Sequence, residues 1–153
     1  MMKRKLKKLA DPAFKLITLP VYLLYFFQQF FFDQRKSFLN ISQFCSFFPL
    51  AFGDCFRRAF LQLVIVFSLK DCCLGFGTTF SDPRIRIGDG VYMGLRCDIG
   101  YAHIGADCVL GSGVHILSGL NQHYFEDLDT NIRDQGGEFK LVSIGENTWV
   151  GNG

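Results

Sequence analysis

Neither sign of charge dominates this chain: 16 Lys and Arg stand against 14 Asp and Glu in 153 residues, a formal net charge of +2. That near-balance excludes a nucleic-acid binder working by bulk electrostatics, which needs a strongly basic surface. Charged residues are only 20% of the chain against 49% hydrophobic, which excludes an intrinsically disordered protein. The apolar run at residues 16–32 falls short of the roughly 20 residues that cross a bilayer. It is 17 long and contains Thr18, Pro20, Gln28 and Gln29. No small-residue cleavage site follows it, only Phe31-Phe32-Asp33-Gln34-Arg35-Lys36, which argues against a secretory signal peptide. The six cysteines contain no Cys-x-x-Cys pair, and the chain is too long and apolar for a disulfide-stapled scaffold. They read as buried thiols in a reducing compartment.

What is present is unevenly spread. Sixteen of the 18 Phe lie in residues 1–80, whereas 13 of the 16 Gly lie in residues 88–153. Residues 1–15 carry six Lys or Arg and one Asp, +5, which leaves −3 for the rest. The front part, residues 1–70, is expected to be helical and membrane-associated. Its basic cluster at residues 3–8 would face anionic headgroups, and residues 16–32 would lie on the membrane surface, pack on the next domain, or span. A second apolar stretch at residues 56–69 opens with Arg57-Arg58 and fits a buried helix, a long strand or an interfacial one. Asn40, Ser42, Pro49 and Gly53 between the stretches read as turn punctuation. No chemistry is assignable to this part.

From residue 87 the pattern changes. Units of six follow one another: Ile87-Gly88-Asp89-Gly90-Val91-Tyr92, then Met93-Gly94-Leu95-Arg96-Cys97-Asp98. A five-residue unit, Ile99-Gly100-Tyr101-Ala102-His103, precedes sixes beginning at Ile104 and Leu110; the pattern returns at Ile144 and Val150. Each unit opens with an aliphatic residue and Gly, and the fifth place is small: Val91, Cys97, Cys108, Val114, Thr148. A period of six is neither the helical 3.6 nor strand alternation. It predicts a solenoid of short strands: first and fifth residues point inward, the sixth (Tyr92, His115, Trp149, with His103 closing its pentad) outward, and Gly lets the chain turn.

These residues, with Gly113-Val114-His115-Ile116-Leu117-Ser118-Gly119, His123 and Arg133, resemble the hexapeptide-repeat acyltransferases, whose fold is a left-handed parallel β-helix. The nearer likeness is to O-acetyltransferases of the maltose, galactoside and colanic-acid type. It covers residues 74–153, with the 75–80 segment similar to the family's first, irregular coil. The resemblance implies a mainly β domain at 71–153, an acetyl-coenzyme A donor, a saccharide-like hydroxyl acceptor, no metal and a homotrimer. With the basic, Phe-rich front part, the expected location is cytoplasmic, at or anchored in the membrane.

Between residues 117 and 143 the repeat yields to a charged, Gly-containing insertion, and a loop that long in a compact domain is usually functional. In the family such a loop carries the catalytic base near its start, the place His123 occupies. An imidazole can take the proton that a hydroxyl must lose on attacking a thioester. Glu126, Asp127 or Asp129 could hold its tautomer. By the same likeness Arg133 orders the loop or touches the acceptor, and Trp149 lies by the acyl-donor groove. Arg96 takes the place of the family's acceptor-binding Asn, so the sugar is not named. A γ-carbonic-anhydrase reading, with three His on a metal, fails on the spacing of His103, His115 and His123. The repeat stops at Gly153 inside a hexad, so the expectation is two complete coils and a fragment of a third. The family's coenzyme A groove uses later coils, so weak or no donor binding is expected. The alternative is a non-catalytic, shortened scaffold or gene remnant tethered to the membrane.

Overall fold

The computed structural model describes residues 4–65 and 69–153, with side chains from residue 11 onward. The side chains of the basic cluster and residues 66–68 of the second apolar stretch lie outside these. Three helices come first: α1 (Arg4–Gln28), α2 (Gln34–Ser46) and α3 (Leu50–Val64). Among the described residues no helix is long and apolar enough to cross a membrane.

The expected punctuation is wrong in three of its four places. Asp33 accepts from the Lys36 amide (2.9 Å) and caps α2, which then runs through Asn40 and Ser42. Its buried face is Phe38, Ile41 and Cys45. Pro49 does start α3, but Gly53 lies inside that helix, where any Cβ would collide with the Phe48 carbonyl. The second stretch is therefore a helix that buries Phe56, Phe60 and Leu61.

Ten short parallel strands follow: β1 (Cys73–Leu74), β2 (Thr79–Phe80), β3 (Arg86–Ile87), β4 (Tyr92–Met93), β5 (Asp98–Ile99), β6 (Ala102–Ile104), β7 (Val109–Leu110), β8 (His115–Ile116), β9 (Val142–Ile144) and β10 (Trp149–Val150). They form three sheets in the orders β1-β4-β7-β10, β2-β5-β8 and β3-β6-β9. This is a left-handed parallel β-helix. Its interior ladders are Leu74–Met93–Leu110–Val150, Phe80–Ile99–Ile116 and Ile87–Ile104–Ile144. The fifth-place residues Val91, Cys97, Cys108 and Val114 are buried beside them.

Among the described residues there are three complete coils and the first strand of a fourth, not two and a fragment. The uncounted coil is residues 73–87. Leu74-Gly75-Phe76-Gly77-Thr78-Thr79 is a regular hexad, but the next unit is seven long, with Phe80 first and Pro83 in its turn, so the period is lost.

The glycine of each pair also has a different task from turning. Positive φ falls on the fourth residue of the hexad: Gly77, Gly90, Arg96, Asp107, Gly113 and Asn147. The second-place Gly is needed because the next coil presses on it. A Cβ on Gly88 would sit 2.6 Å from Ala106 N, and one on Gly105 2.5 Å from Glu146 N. The fifth-place polar residues likewise do more than fill space. Thr78 Oγ1 donates to Gly94 O (3.1 Å), Cys97 Sγ to Gly111 O (3.2 Å) and Cys108 Sγ to Gly145 O (2.9 Å).

The helices close the open edge of the first coil. Asp54 Oδ1 accepts from Leu74 N (2.8 Å), while Arg57 Nε and Nη2 donate to Leu74 O at 3.0 and 2.8 Å. Arg58 Nη1 donates to Cys72 O (3.2 Å), and Ser42 Oγ accepts from Phe80 N (2.7 Å). One apolar core runs from Tyr25 and Phe38 through Leu69 and Leu74 to Val114 and Ile116.

Candidate active site

The insertion leaves the solenoid after β8 and returns at β9, between the second and third sheets. Its two ends run side by side as a stalk. Lys140 N donates to Ser118 O (2.8 Å), Glu138 N to Asn121 O (2.7 Å) and Tyr124 N to Gly136 O (3.0 Å). Ser118 is buried at the base, where its Oγ accepts from Tyr101 N (2.9 Å). His123 lies between the last two of these rungs, with its side chain exposed. Opposite it, Gly137 approaches so closely that a Cβ would run into the Gln122 carbonyl and sit 2.9 Å from His123 N. Gly137 thus packs against the backbone at Gln122 and His123, where no side chain would fit.

The tip beyond the stalk is tied by Gln135. Its Nε2 donates to Asp127 O (2.7 Å) and Thr130 O (2.8 Å), and its Oε1 accepts from Asp127 N (3.2 Å). Asp127 accepts from Asp129 N (2.9 Å) and Thr130 Oγ1 (2.7 Å), and these hydrogen bonds hold its carboxyl below the usual carboxylate range. Glu126 accepts from Phe125 N (3.1 Å). Both carboxylates accept from groups of their own loop. Arg133 stands in the short 3-10 turn Ile132–Asp134, 3.5 Å from the Asp134 carboxylate and largely exposed. It lines a shallow recess of about 760 Å³ with Phe125, Leu128 and Ile132.

The other candidates stand elsewhere on the same chain. Arg96 is exposed in the turn that carries the chain from the first sheet to the second, at φ +55°. Trp149 lies on the outer face of the first sheet, 78% exposed, in register with Val109 and Tyr92. His115 is on the outer ladder of the second sheet with Asp98, and His103 on that of the third with Arg86. Among the described residues no three His, Cys, Asp or Glu side chains are grouped as metal ligands would be. An apolar cleft of about 330 Å³ opens at the foot of the stalk, lined by His115, Leu117, Leu120, Val142 and Ile144.

Two residues that order this region escape the sequence pattern. Gly137 is legible only as one of a Gly pair in a charged loop, because its partner is 15 positions earlier. Arg35, on α2, pairs with buried Asp82 (3.1 Å) and lies 3.5 Å above the ring of Phe139 on the returning side of the stalk. The Phe-rich part therefore reaches the loop that carries His123. No family model, no curated protein and no solved structure matches this chain.

Proposed function

We propose that the protein is an O-acyltransferase that moves an acetyl group from acetyl-coenzyme A to a hydroxyl of a saccharide-like acceptor. The observation that carries this reading is the stalk: an insertion from one corner of a parallel β-helix that carries His123 between two hydrogen-bonded rungs, against Gly137. In this reading the His123 imidazole takes the acceptor's hydroxyl proton as its oxygen bonds to the thioester carbon. The carbon–sulfur bond then breaks, and the proton passes from His123 to the departing thiolate. Arg133 contacts the acceptor from the loop tip, Arg96 from the turn between the first and second sheets, and Trp149 borders the donor. Those three occupy different faces of one chain, so the working site lies between subunits, most simply in a homotrimer joined through the apolar outer ladder of the first sheet.

The test is acceptor-dependent thiol release from acetyl-coenzyme A, with a panel of mono- and disaccharides. His123→Ala should lower turnover on the order of 10²–10⁴-fold. Gly137→Ala should lower it roughly 10²-fold by displacing His123, with little change in unfolding midpoint because the stalk lies outside the core. Full turnover by His123→Ala would remove His123 from the role of base. A second reading, a non-catalytic scaffold, draws on the engagement of Glu126 and Asp127 with Phe125, Asp129 and Thr130 of their own loop and not with His123. It predicts no thiol release from the unaltered chain with any acceptor.

A further inference from the structure

Helix α1 is apolar on two opposite faces, and only one of them is covered. Phe14, Thr18, Val21 and Tyr25, at helical spacing, turn inward; Thr18 and Tyr25 are buried, and Phe14 and Val21 pack against the core. On the other side Leu16, Leu23 and Phe27 are 72%, 59% and 58% exposed, and in the turn that follows Phe30 and Phe31 are 83% and 69% exposed. So long an uninterrupted apolar strip is more than a soluble monomer ordinarily leaves in water. A net charge of +5 lies at one end of it, in residues 1–15. Arg4, Lys5, Lys7 and Lys8 fall in the first turns of α1, Lys15 is exposed one residue before the strip, and Lys36 lies 5.0 Å from the ring of Phe32 at the far end.

We infer that the outer face of α1, from Leu16 through Phe31, docks on an anionic membrane leaflet. The apolar strip enters the acyl boundary while the basic residues at its ends meet lipid phosphates. The helix lies on the surface and does not cross it. Its inner face is committed to the core, and Asp11 is paired with the buried Arg58 of α3. A second copy is the poorer occupant on charge. A parallel pair would set two +5 segments side by side, and an antiparallel pair would set each against the other's Arg35 and Lys36.

Co-sedimentation with vesicles tests this. The full chain should pellet with phosphatidylcholine vesicles that contain phosphatidylglycerol, and binding should weaken with added salt. Leu23→Glu with Phe27→Glu should lower vesicle affinity on the order of tenfold or more while leaving the unfolding midpoint unchanged, because both side chains are solvent-exposed. Lys5→Gln, Lys7→Gln and Lys8→Gln together should lower affinity for anionic vesicles alone. Should the glutamate pair fail to fold, Phe30→Trp supplies the readout: its fluorescence should be quenched by brominated lipid beyond the level set by Trp149. No vesicle binding, binding indifferent to these changes, or a salt-insensitive dimer that Leu23→Glu and Phe27→Glu dissolve without lipid would overturn the assignment.

Discussion

Asp82 shows how much one side chain can hold in place. It is fully buried, accepts from Arg84 N (3.0 Å), Nε (2.9 Å) and Nη2 (2.7 Å), and pairs with Arg35. Burial alone would push its carboxyl up, but the Arg84 hydrogen bonds, with the charges of Arg84 and Arg35, bring it below the ordinary value. A carboxyl depressed in the folded state contributes stability above the unfolded value of about 4, and that contribution is lost as pH falls through the lower folded value. Asp82→Asn should therefore cost about 2 kcal/mol near neutral pH. The gap between variant and parent should close as pH falls below the ordinary carboxylate range. Urea unfolding midpoints measured across pH check both; a gap that stays constant into acid would mean the charge of Asp82 is not what matters. This site was half visible in the sequence. Pro83 and the acid beside it mark a turn, but nothing local announces that Arg35, 47 positions earlier, shares the carboxylate.

Among elements, α3 has a role its composition hides. An Arg pair opening an apolar stretch suggests a solvated end, yet Arg57 and Arg58 are both buried. Burial pulls the Arg57 guanidinium below its usual value, with nearby Asp54 opposing. What keeps the charge tolerable is oxygen: Leu74 O on two of its nitrogens, and Phe48 O at 2.8 Å on a third. The first strand of a parallel solenoid has an unpaired edge, and these side chains satisfy it where another coil would otherwise be required. Arg57→Met keeps the bulk and loses the donors, so it should destabilise by about 2–4 kcal/mol. Amide exchange should then accelerate in β1 and β2 before β7 and β8. Uniform loss of protection along the solenoid would show that α3 supports the whole fold and not its first edge.

The whole molecule presents one outer sheet face unlike the other two. The second sheet carries Thr79, Asp98 and His115 outward, and the third Arg86, His103 and Ser143. The first carries Cys73, Tyr92, Val109 and Trp149. An exposed Trp in line with a Val and a Tyr is apolar surface of the kind that subunits cover. Sedimentation at micromolar concentration, in mild detergent to separate it from lipid binding by α1, should give a trimer, and Trp149→Lys should shift it toward monomer. A monomeric parent chain would count against a site shared between subunits.

The β-helix itself was written locally. Each unit brings its own inward aliphatic residue and its own small fifth residue, so six positions suffice to predict the stack, and the apolar run at residues 16–32 was enough to expect a helix there. Tertiary structure alone decided the rest, because the deciding partners are distant in sequence. Phe80 N meets Ser42 across 38 positions, and Arg57 meets Leu74 across 17. The second-place Gly of each hexad that carries another coil is set by the coil stacked on it, and the fourth residue, even when it is Arg96, takes the left-handed turn because the corner demands it. His123 could be singled out by its place in the insertion, but the close approach of Gly137 to its backbone arises only once the stalk has closed.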